Sequence, residues 1–483
     1  MKKIFNWLVV SLLFTMVGCV EGLQETGMTE TSSEQLPDLT AGFAEAQTKT
    51  YVESGKYLRW HEDDRLTAFY GNTLNRQYKF NGATGDNSGS FSYVSSGNLE
   101  TGNALDCIYA VYPYDEAATI TDDGQISLTL PAVQTSRLLM QKSPPCNSIQ
   151  FDENCAAKEN FEALVIGFGQ LGQTVLRNLI MHGQFAGSIF RADVFEPNTR
   201  EQSGYFLNRF PGILEHYDVH FHDHDGRSAD LYQHLTERMD QIKYIVICTG
   251  DSDSDEEIAQ QLWDFLSCKR KEIPLYQCSS GGVKLTHPQT METESYPIYQ
   301  PEILATRKLD QMAMTVNRYY QGGNSQGALA DWMACDYFSR MSNRAYADFL
   351  PAVLRAAGKT ETQALSEPWT FSEIQQENLG KMEHARWNAF HFCMGFTTMS
   401  KEEYAARTEI YRQQAAQTGK GSIRIGKNLE DRTHACLIPW EELDALSETE
   451  NSITGGHVDY KQMDINNIDL LPKLLQIRND WTK

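Results

Sequence analysis

The sequence of 483 residues lacks the motifs of several common enzyme classes. It has no G-x-S-x-G elbow, no H-E-x-x-H, no P-loop lysine and no cysteine–histidine pair in a nucleophile context, so it does not indicate these hydrolases. It also lacks a basic run, and 64 acidic residues against 42 Lys and Arg give a formal net charge of -22. Because such a surface repels phosphate backbones, we expect no nucleic-acid partner.

The ten cysteines include no C-x-x-C pair. Their scatter matches neither a disulfide framework nor a zinc spacing, and we expect most of them to be small buried side chains of a reducing compartment. Long apolar runs are absent beyond the N-terminus, so no other segment is long enough to cross a bilayer. The hydrophobic content of 41% is that of globular domains.

The N-terminus combines two lysines with an apolar run over residues 4–17, and Gly18 then precedes Cys19. The run is short for a membrane span, and its basic start is typical of a secretory signal over 1–19. Gly18-Cys19 resembles a bacterial lipobox, with Met16 in place of the usual leucine. The resemblance implies that Cys19 is lipidated, and an uncleaved anchor is the alternative.

A polar stretch and a β-rich stretch follow the signal. Residues 20–50 are polar and poor in aliphatic side chains, which predicts a flexible tether. Residues 51–135 predict an antiparallel β fragment, because apolar side chains alternate through "YLRWHEDDRLTAFYG" and "QYKFNGATGDNSGSFSYV". A further strand is predicted at "DCIYAVYPYDE", and a hairpin at "TITDDGQISLTLPAVQ" would place Ile126, Leu128 and Leu130 on one face.

The first 135 residues resemble the fimbrillin-like lipoproteins of Bacteroides-type bacteria, which are subunits or anchors of surface pili. The matching pieces, in order, are the lipobox, Trp60 with "EDDRLTAFY", the "YKFNG…GSFSY" hairpin, "YAVYPY" at 109–114, and "ISLTLPAVQ" ending at Gln134. The resemblance covers only the front portion of such a protein, whose complete form has two β-sandwich domains. It implies a surface lipoprotein.

The second part of the chain has α/β character. Residues 136–160 contain Pro144-Pro145 and no clear period, and we interpret them as a junction. Strand and helix patterns then alternate over 161–285, which predicts a doubly wound parallel sheet. Helical patterns dominate afterwards, and they predict a helical connector over 286–369 and a mostly α domain over 370–483.

The glycine series Gly167-x-Gly169-x-x-Gly172 follows the first of these strands and opens a helix. The first glycine lets the chain turn, the second lets the backbone approach a pyrophosphate, and the third lets helix pack on strand. Glu196, or less favourably Asp193, would bind ribose hydroxyls from the second strand. We expect NAD or another adenine nucleotide at this turn, and glycines kept only for packing are the alternative.

The segments "ALVIGFGQLGQTVLRNLI" and "YIVICTGDSDSDEEIAQQL" resemble the Trk-N or RCK-type NAD-binding domain that regulates potassium transporters and channels. The resemblance covers about 161–285 and implies a Rossmann-like ligand sensor. With it we count Gln170, Leu171, Thr249 and Gly250 among the cofactor-binding residues. It also implies a membrane transporter or channel as partner, with a homodimer as one expected form.

Histidines alternate along "HYDVHFHDHD" at His220, His222 and His224, with Asp223 and Asp225 opposite. Alternating histidines can bind a metal, but the sequence offers no second ligand cluster to complete a site. We therefore predict no metal site and interpret the segment as a polar strand end.

The helix "ENLGKMEHARWNAFHFCMGF" and the segment "RTHACLIPWEELDALSETEN" together resemble the RyR domain, first named from ryanodine receptors and also found in bacteria. The matching positions are Asn378, Leu379, Glu383, His384, Arg386, Trp387, His434, Leu437, Pro439, Trp440 and Leu443, where Trp440 replaces the usual tyrosine. Glu383, His384, Arg386 and Trp387 could form a ligand pocket, with charged groups for phosphate or carboxylate and an indole for stacking. The alternative is that these residues hold the helical domain together.

The whole chain is thus predicted to be multi-domain, with an N-terminal antiparallel β fragment, a central Rossmann-like α/β sheet and a C-terminal, mostly α RyR-like domain. The leading hypothesis is a nucleotide-sensing, non-catalytic binding module joined near 135–150 to a lipoprotein front. The alternatives are a pilus-related surface lipoprotein and an NAD-dependent oxidoreductase. The signal predicts anchoring outside the cytoplasm, with membrane contact only through the lipid on Cys19, whereas the later domains resemble intracellular sensors.

Overall fold

The computed structural model describes residues 130–286, 292–298, 303, 308–322, 331–332, 335–419 and 421–481, together with shorter segments between 39 and 127. The chain divides into two compact units, which are described separately. The first unit contains Met1–Pro131, Tyr299–Lys308 and Leu329–Tyr337, and the second contains Ala132–Ile298, Leu309–Ala328 and Phe338–Lys483. The predicted signal and the lipidation residue Cys19 lie outside the described residues.

The first unit contains a five-stranded antiparallel sheet, as the alternating pattern predicted. Its strands are β1 (Leu39–Gly42), β2 (Arg65–Tyr70), β3 (Asn75–Phe80), β4 (Ser88–Tyr93) and β5 (Ile108–Val111), in the order β1-β4-β3-β2-β5. Its core is aromatic, and the ring of Trp60 meets that of Phe91 edge-on at 5.0 Å. The strand β1 lies inside the predicted tether, so that part of the tether is ordered by pairing with β4.

The predicted hairpin after β5 is shorter than its alternating pattern suggested. Strands β6 (Thr119–Ile120) and β7 (Ile126–Ser127) pair antiparallel, but a helix begins at Leu130. Leu130 therefore does not continue the strand face. Pro131 explains the change, because it cannot donate to a strand ladder and is tolerated in the first turn of a helix.

The second unit is built on a seven-stranded sheet. Its strands are β8 (Phe161–Ile166), β9 (Phe190–Phe195), β10 (Asp218–His222), β11 (Ile242–Ile247), β12 (Leu275–Ser279), β13 (Gly282–Thr286) and β14 (Thr293–Pro297). The order is β10-β9-β8-β11-β12-β13-β14, with the first five strands parallel and the last two antiparallel. The predicted α/β sheet is confirmed, but β14 extends it into the predicted helical connector.

Five helices accompany the parallel strands. They are α2 (Gln170–His182), α3 (Thr199–Arg209), α4 (Pro211–His216), α5 (Ala229–Arg238) and α6 (Ser252–Cys268). Every residue of β8 is buried, since helices cover both faces of a central parallel strand. On one face, Leu164, Ile166 and Phe195 pack with aliphatic residues of α5 and α6. The helices α3 and α4 were not predicted from the sequence.

The predicted junction over 136–160 is instead part of the second unit. The helix α1 (Leu130–Lys142) carries Arg137, whose side chain is 2% exposed. Its guanidinium donates to Asp348 Oδ2 at 2.7 Å and to Asp310 Oδ1 at 2.5 Å, and Arg344 pairs with the other oxygen of Asp310 at 2.8 Å. Burial raises the pKa of Asp310, but the two arginines outweigh it and hold that pKa below its ordinary range. This buried ion network ties α1 to the helices that follow the sheet.

The rest of the second unit is helical, which confirms the predicted C-terminal helical region. Its helices are α7 (Gln311–Tyr320), α8 (Tyr337–Ala356), α9 (Glu361–Ser366), α10 (Glu373–Cys393), α11 (Lys401–Thr418), α12 (Leu443–Thr454), α13 (Tyr460–Asp469) and α14 (Leu471–Trp481). Three two-residue strands, β15 (Thr397–Thr398), β16 (Lys427–Asn428) and β17 (Thr433–His434), form a small sheet. The helix α10 packs against α13, α2 and α4, so the predicted C-terminal domain lies in one unit with the α/β sheet. Of the helices described, none has both the length and the apolar character to cross a membrane.

We predict that Arg137→Met costs about 3–5 kcal/mol of unfolding free energy, because it leaves Asp348 buried without its guanidinium partner. The measurement is the urea unfolding of the full-length chain followed by circular dichroism. Arg478→Met is the matched control, since Arg478 pairs with the half-exposed Glu361 and such surface pairs contribute about 0–1 kcal/mol. Equal losses in both variants would contradict a stabilising role of the buried network.

Candidate functional site

The glycine turn lies at the carboxyl end of β8, the middle one of the five parallel strands. From β8 the chain moves through β9 to β10 on one side, and β11 then pairs with β8 on its other side. The direction of strand progression therefore reverses between β8 and β11. In open parallel sheets, ligands bind in the crevice outside the strand ends at such a reversal.

Two of the three glycines are required by packing. Gly167 has a φ of +97°, and a Cβ there would lie 2.5 Å from the carbonyl oxygen of Cys248 at the end of β11. A Cβ on Gly172 would lie 2.2 Å from the carbonyl oxygen of Gly167. Packing alone therefore explains why glycine occurs at these two positions.

Gly169 has no such packing reason. It caps α2 with φ −64° and ψ −171°, which any residue can adopt, and a Cβ there would meet no atom of the described part of the chain within 4 Å. No side chain caps the helix, and its first turn, which includes Gln170 and Leu171, contains no acidic residue. A helix start left open in this way presents backbone N–H groups and partial positive charge, which suit a phosphate.

Glu196 is brought to the glycine turn, as the sequence predicted. It follows the last residue of β9, and its Oε2 accepts a hydrogen bond from the backbone N–H of Phe168 at 3.0 Å. Its Oε1 accepts from the N–H of Asn198 at 3.2 Å. The weaker candidate, Asp193, lies earlier on β9, where it is buried and pairs with Arg191. Asp193 is therefore not the acid of this turn.

The other wall of the crevice is the end of β11. Thr249 donates from its backbone N–H and its hydroxyl to Asp255 Oδ1, at 2.9 Å and 2.7 Å. Gly250 has a φ of +85° and, like Gly169, would place a Cβ where no atom lies within 4 Å. Asp251 caps α6 by accepting from Ser254 N at 2.8 Å. Acidic side chains thus close the start of α6, while the start of α2 stays open to an anion.

The turn is held in place by contacts that the sequence did not reveal. The ring of Phe168, between the first two glycines, is fully buried and packs edge-on against Phe206 at 5.2 Å and Phe221 at 5.0 Å. Gln173 donates from its side chain to the carbonyl oxygen of Phe168 at 3.2 Å and to that of Gln202 at 2.9 Å. The backbone of the turn is therefore fixed before any ligand arrives. In the sequence, the aromatic residue Phe168 between the first two glycines is the feature that could have indicated these contacts.

The second predicted site is occupied by internal contacts. Glu383 is fully buried, and both of its oxygens accept from Arg386 at 2.7 Å. His384 lies 3.0 Å from Asp464 Oδ2 through Nδ1 and 2.8 Å from the carbonyl oxygen of Ile438 through Nε2. These bonds hold α10 against α13 and against the segment before Trp440. The geometry favours the structural alternative for Glu383, His384 and Arg386.

Trp387 differs from the other three, because it lies half-buried in a cluster of rings. Its ring centroid is 3.8 Å from that of His391 and 4.9 Å from that of His434. Burial and the charges of Lys427 and Arg424 lower the pKa of His434 to about 3, and burial lowers the pKa of His391 well below its ordinary value. Two neutral imidazoles therefore flank the indole.

A cavity of about 370 Å³ lies at the opposite end of the sheet from the glycine turn. It is lined at the amino ends of β11 and β12 by Ile242, Lys243 and Pro274, with Asp240 and Lys271 paired beside it. Ligands of open parallel sheets bind at the carboxyl ends of the strands, so this cavity is not the predicted nucleotide site.

No protein-family model matches this chain, and no curated protein matches it. What the chain binds is therefore inferred from the geometry of the glycine turn.

We predict that the second unit loses stability as the pH falls from about 6.5 towards about 3, and that His434 contributes to the loss. Its pKa is lower in the folded than in the unfolded state, so the unfolded state takes up the proton first. The stabilisation is complete above the unfolded pKa and is lost as the pH falls towards the folded one. His434→Gln should flatten the dependence of Tm on pH. His457→Gln is the control, because that ring is exposed, and equal slopes in both variants would contradict the prediction.

Proposed function

We propose that this protein is a nucleotide-sensing, non-catalytic binding module whose Rossmann-like domain takes NAD or another adenine nucleotide at the glycine turn. The observation that carries the proposal is Gly169. Its neighbours Gly167 and Gly172 are explained by close contacts inside the fold, whereas no contact among the described residues requires glycine at 169. A ligand whose phosphates approach the backbone from outside supplies the missing requirement.

The groups around the turn match the parts of a dinucleotide. The pyrophosphate would lie against the N–H groups at the start of α2, where Gln170 and Leu171 follow Gly169. Glu196, at the end of the neighbouring strand, would accept from ribose hydroxyls. Thr249 and Gly250 would form the opposite wall. The carboxylate of Glu196 favours a ribose-containing ligand over a free phosphate, because it can accept hydrogen bonds from the ribose hydroxyls.

The ionisable groups at the turn support binding rather than turnover. Asp255 accepts two hydrogen bonds from Thr249, and burial raises its pKa. Burial also raises the pKa of the Cys248 thiol well above its ordinary value, so it is a poor nucleophile. Among the residues described, Glu196 is the carboxylate that contacts the turn, and its oxygens serve the loop backbone.

A sensor must transmit ligand binding to another part of the molecule, and α2 offers a direct connection. Its start lies at the phosphate position, and its side chains pack against the C-terminal half of α10. Arg177 Nη1 donates to the carbonyl oxygen of Cys393 at 3.4 Å, and the Cys393 thiol lies 3.6 Å from the carbonyl oxygen of Arg177. A ligand that binds two positions of α2 with different affinity would shift α10 as well.

The partner of such a sensor would be a membrane transporter or channel, by resemblance to domains that regulate potassium transport. The RyR-like helices, among them α10, would carry the signal or take a second ligand beside Trp387. Any membrane attachment of the chain itself would come through a lipid on Cys19.

We predict that Gly169→Asp abolishes nucleotide binding without loss of stability. The new side chain enters open space and can cap α2, so unfolding free energy should be unchanged or rise by about 1 kcal/mol. Its charge and volume would occupy the phosphate position. The measurement is a thermal-shift and calorimetric panel on the full-length chain with NAD, NADH, ATP, ADP and ADP-ribose. At a hundredfold its dissociation constant, a ligand should stabilise the wild-type chain by about 2.7 kcal/mol.

The matched control for that experiment is Gly204→Asp, on α3. A Cβ at Gly204 also meets no atom of the described residues within 4 Å, and it lies on the face of α3 opposite Gln202 and Phe206, which contact the turn. This variant should keep the ligand-induced shift. If no nucleotide stabilises the wild-type chain, or if both variants bind alike, the proposal fails. Consumption of NADH by the wild-type chain would instead favour an oxidoreductase.

We also predict that Glu196→Gln weakens the binding of ribose-containing ligands about tenfold to a hundredfold, while the binding of free pyrophosphate is unchanged. A hydrogen bond to a carboxylate contributes about 1.5–3 kcal/mol, against about 0.5–1.5 kcal/mol for a bond to a neutral amide oxygen, and a ribose offers two hydroxyls. The glutamine oxygen can still accept from Phe168 N, which keeps the turn folded. Glu201→Gln is the control, because Glu201 is exposed in the first turn of α3. Equal weakening of ADP-ribose and pyrophosphate would contradict the ribose role.

A further inference from the structure

Two histidines and a buried carboxylate converge in the second unit, beside β10. The ligand atoms of Asp193, His222 and His234 all lie within 4.8 Å of one another. Asp193 comes from β9, His222 from β10 and His234 from α5. In the sequence, the histidine-rich strand has no second ligand cluster to complete a metal site. The fold supplies the two further groups from the neighbouring strand β9 and from the helix α5.

The histidines along the strand do not act together. His220 pairs with Asp218 at 2.6 Å, and His224 lies 3.4 Å from Asp230. Of the three, His222 reaches Asp193, with its Nε2 at 2.8 Å from Oδ1. His220 and His224 are therefore natural controls for any property of the cluster.

Packing fixes the orientation of both cluster imidazoles. The ring of His222 stacks on that of Phe195, with centroids 4.4 Å apart and an angle of 12° between the planes. The ring of His234 lies 5.4 Å from Phe195 and 5.1 Å from His222. Ligands held this way by strands and a helix need little reorganisation to bind an ion.

A buried nitrogen of the cluster, Nε2 of His234, has no hydrogen bond of good geometry in the described part of the chain. His234 is 12% exposed at its side chain, and its buried Nε2 has no hydrogen-bond partner among the residues described. This nitrogen points towards Asp193, with 3.4 Å between Nε2 and Oδ2, although the geometry is not that of a hydrogen bond. A buried polar atom without a partner is costly, and an ion between the imidazoles and the carboxylate would satisfy it.

The surrounding charges leave room for a cation. Arg191 donates to both oxygens of Asp193, at 3.0 Å and 3.2 Å, and also to Asp218 at 2.9 Å. One guanidinium thus faces two carboxylates, and the local charge is negative before any ion binds. A carboxylate has about four lone-pair sites, so Asp193 can serve Arg191 and an ion together. His222 is 29% exposed, which gives an ion a path from solvent.

We propose that Asp193, His222 and His234 form a binding site for a divalent transition-metal ion, with a position left open for water on the side of His222. Two imidazoles and one carboxylate suit zinc, cobalt, nickel or iron, whereas magnesium and calcium prefer oxygen ligands. The site does not depend on the proposed nucleotide function.

The test is titration of the untagged, chelator-treated, full-length chain with Co²⁺, followed by its visible absorption, and with Zn²⁺ by calorimetry. The site predicts one ion per chain, with cobalt bands of nitrogen and oxygen ligands and without thiolate charge transfer. His222→Ala and His234→Phe should each weaken binding by at least about tenfold. His234→Phe is the safer variant for folding, because its ring would pack beside Phe195 and Leu235.

The control variants are His220→Ala and His224→Ala, which remove neighbouring imidazoles from outside the cluster and should bind cobalt as the wild type does. Three results would overturn the proposal. They are no binding to the wild-type chain, binding retained in the His222→Ala/His234→Phe double variant, or equal losses in the control variants. The last result would place the ion elsewhere on the histidine-rich segment.

Discussion

The close approach of α2 to the ends of β8 and β11 is the constraint on which the rest of the second unit depends. It exists because Gly172 has no Cβ to meet the carbonyl oxygen of Gly167, and Gly167 has none to meet that of Cys248. With that contact made, the start of α2 is fixed beneath the crevice where strand order reverses. The far part of the same helix then packs against α10. These two backbone contacts therefore position both the candidate phosphate site and the path by which binding would be transmitted.

Buried charges organise the helices around this framework. Arg137 joins α1 to Asp310 and Asp348, and the pair Glu383–Arg386 lies in the interior beside α13. Such pairs rarely add much net stability over apolar residues, but removing one partner is costly. The Arg137 network joins different helices, whereas Glu383 and Arg386 lie on the same helix, α10, and Glu383 reaches α13 by accepting from Asn467 Nδ2 at 3.3 Å. This is why polar residues that suggested a ligand pocket in the sequence serve as structural contacts here.

Local patterns predicted the elements whose signals are short-range. The glycine turn, the alternating strands and helices of the α/β sheet and the acid Glu196 follow from local spacing, and all of them occur in the structure. Sequence patterns did not predict contacts between residues that are far apart along the chain. The segment containing Arg137 has no clear period because its polar face is buried against residues more than 170 positions away. The case of His222 is different, because its partners Asp193 and His234 lie on nearby elements of the chain, and only the strand order shows that the three side chains meet.

The acidity of the chain does not contradict an anion site, because the position of charges matters more than their sum. Screening at physiological salt limits exposed charges to about 8 Å, so most of the acidic residues have little effect at the turn. The charges close to the turn decide whether an anion is repelled there. The start of α6 carries Asp251, Asp253 and Asp255, whereas the first turn of α2 carries no acid and no side-chain cap. Of these two helix starts at the crevice, α2 alone offers N–H groups free of acidic neighbours in its own first turn. The proposed phosphate position at Gly169 is therefore compatible with a strongly negative protein, and in the same proposal Glu196 serves groups that donate hydrogen bonds.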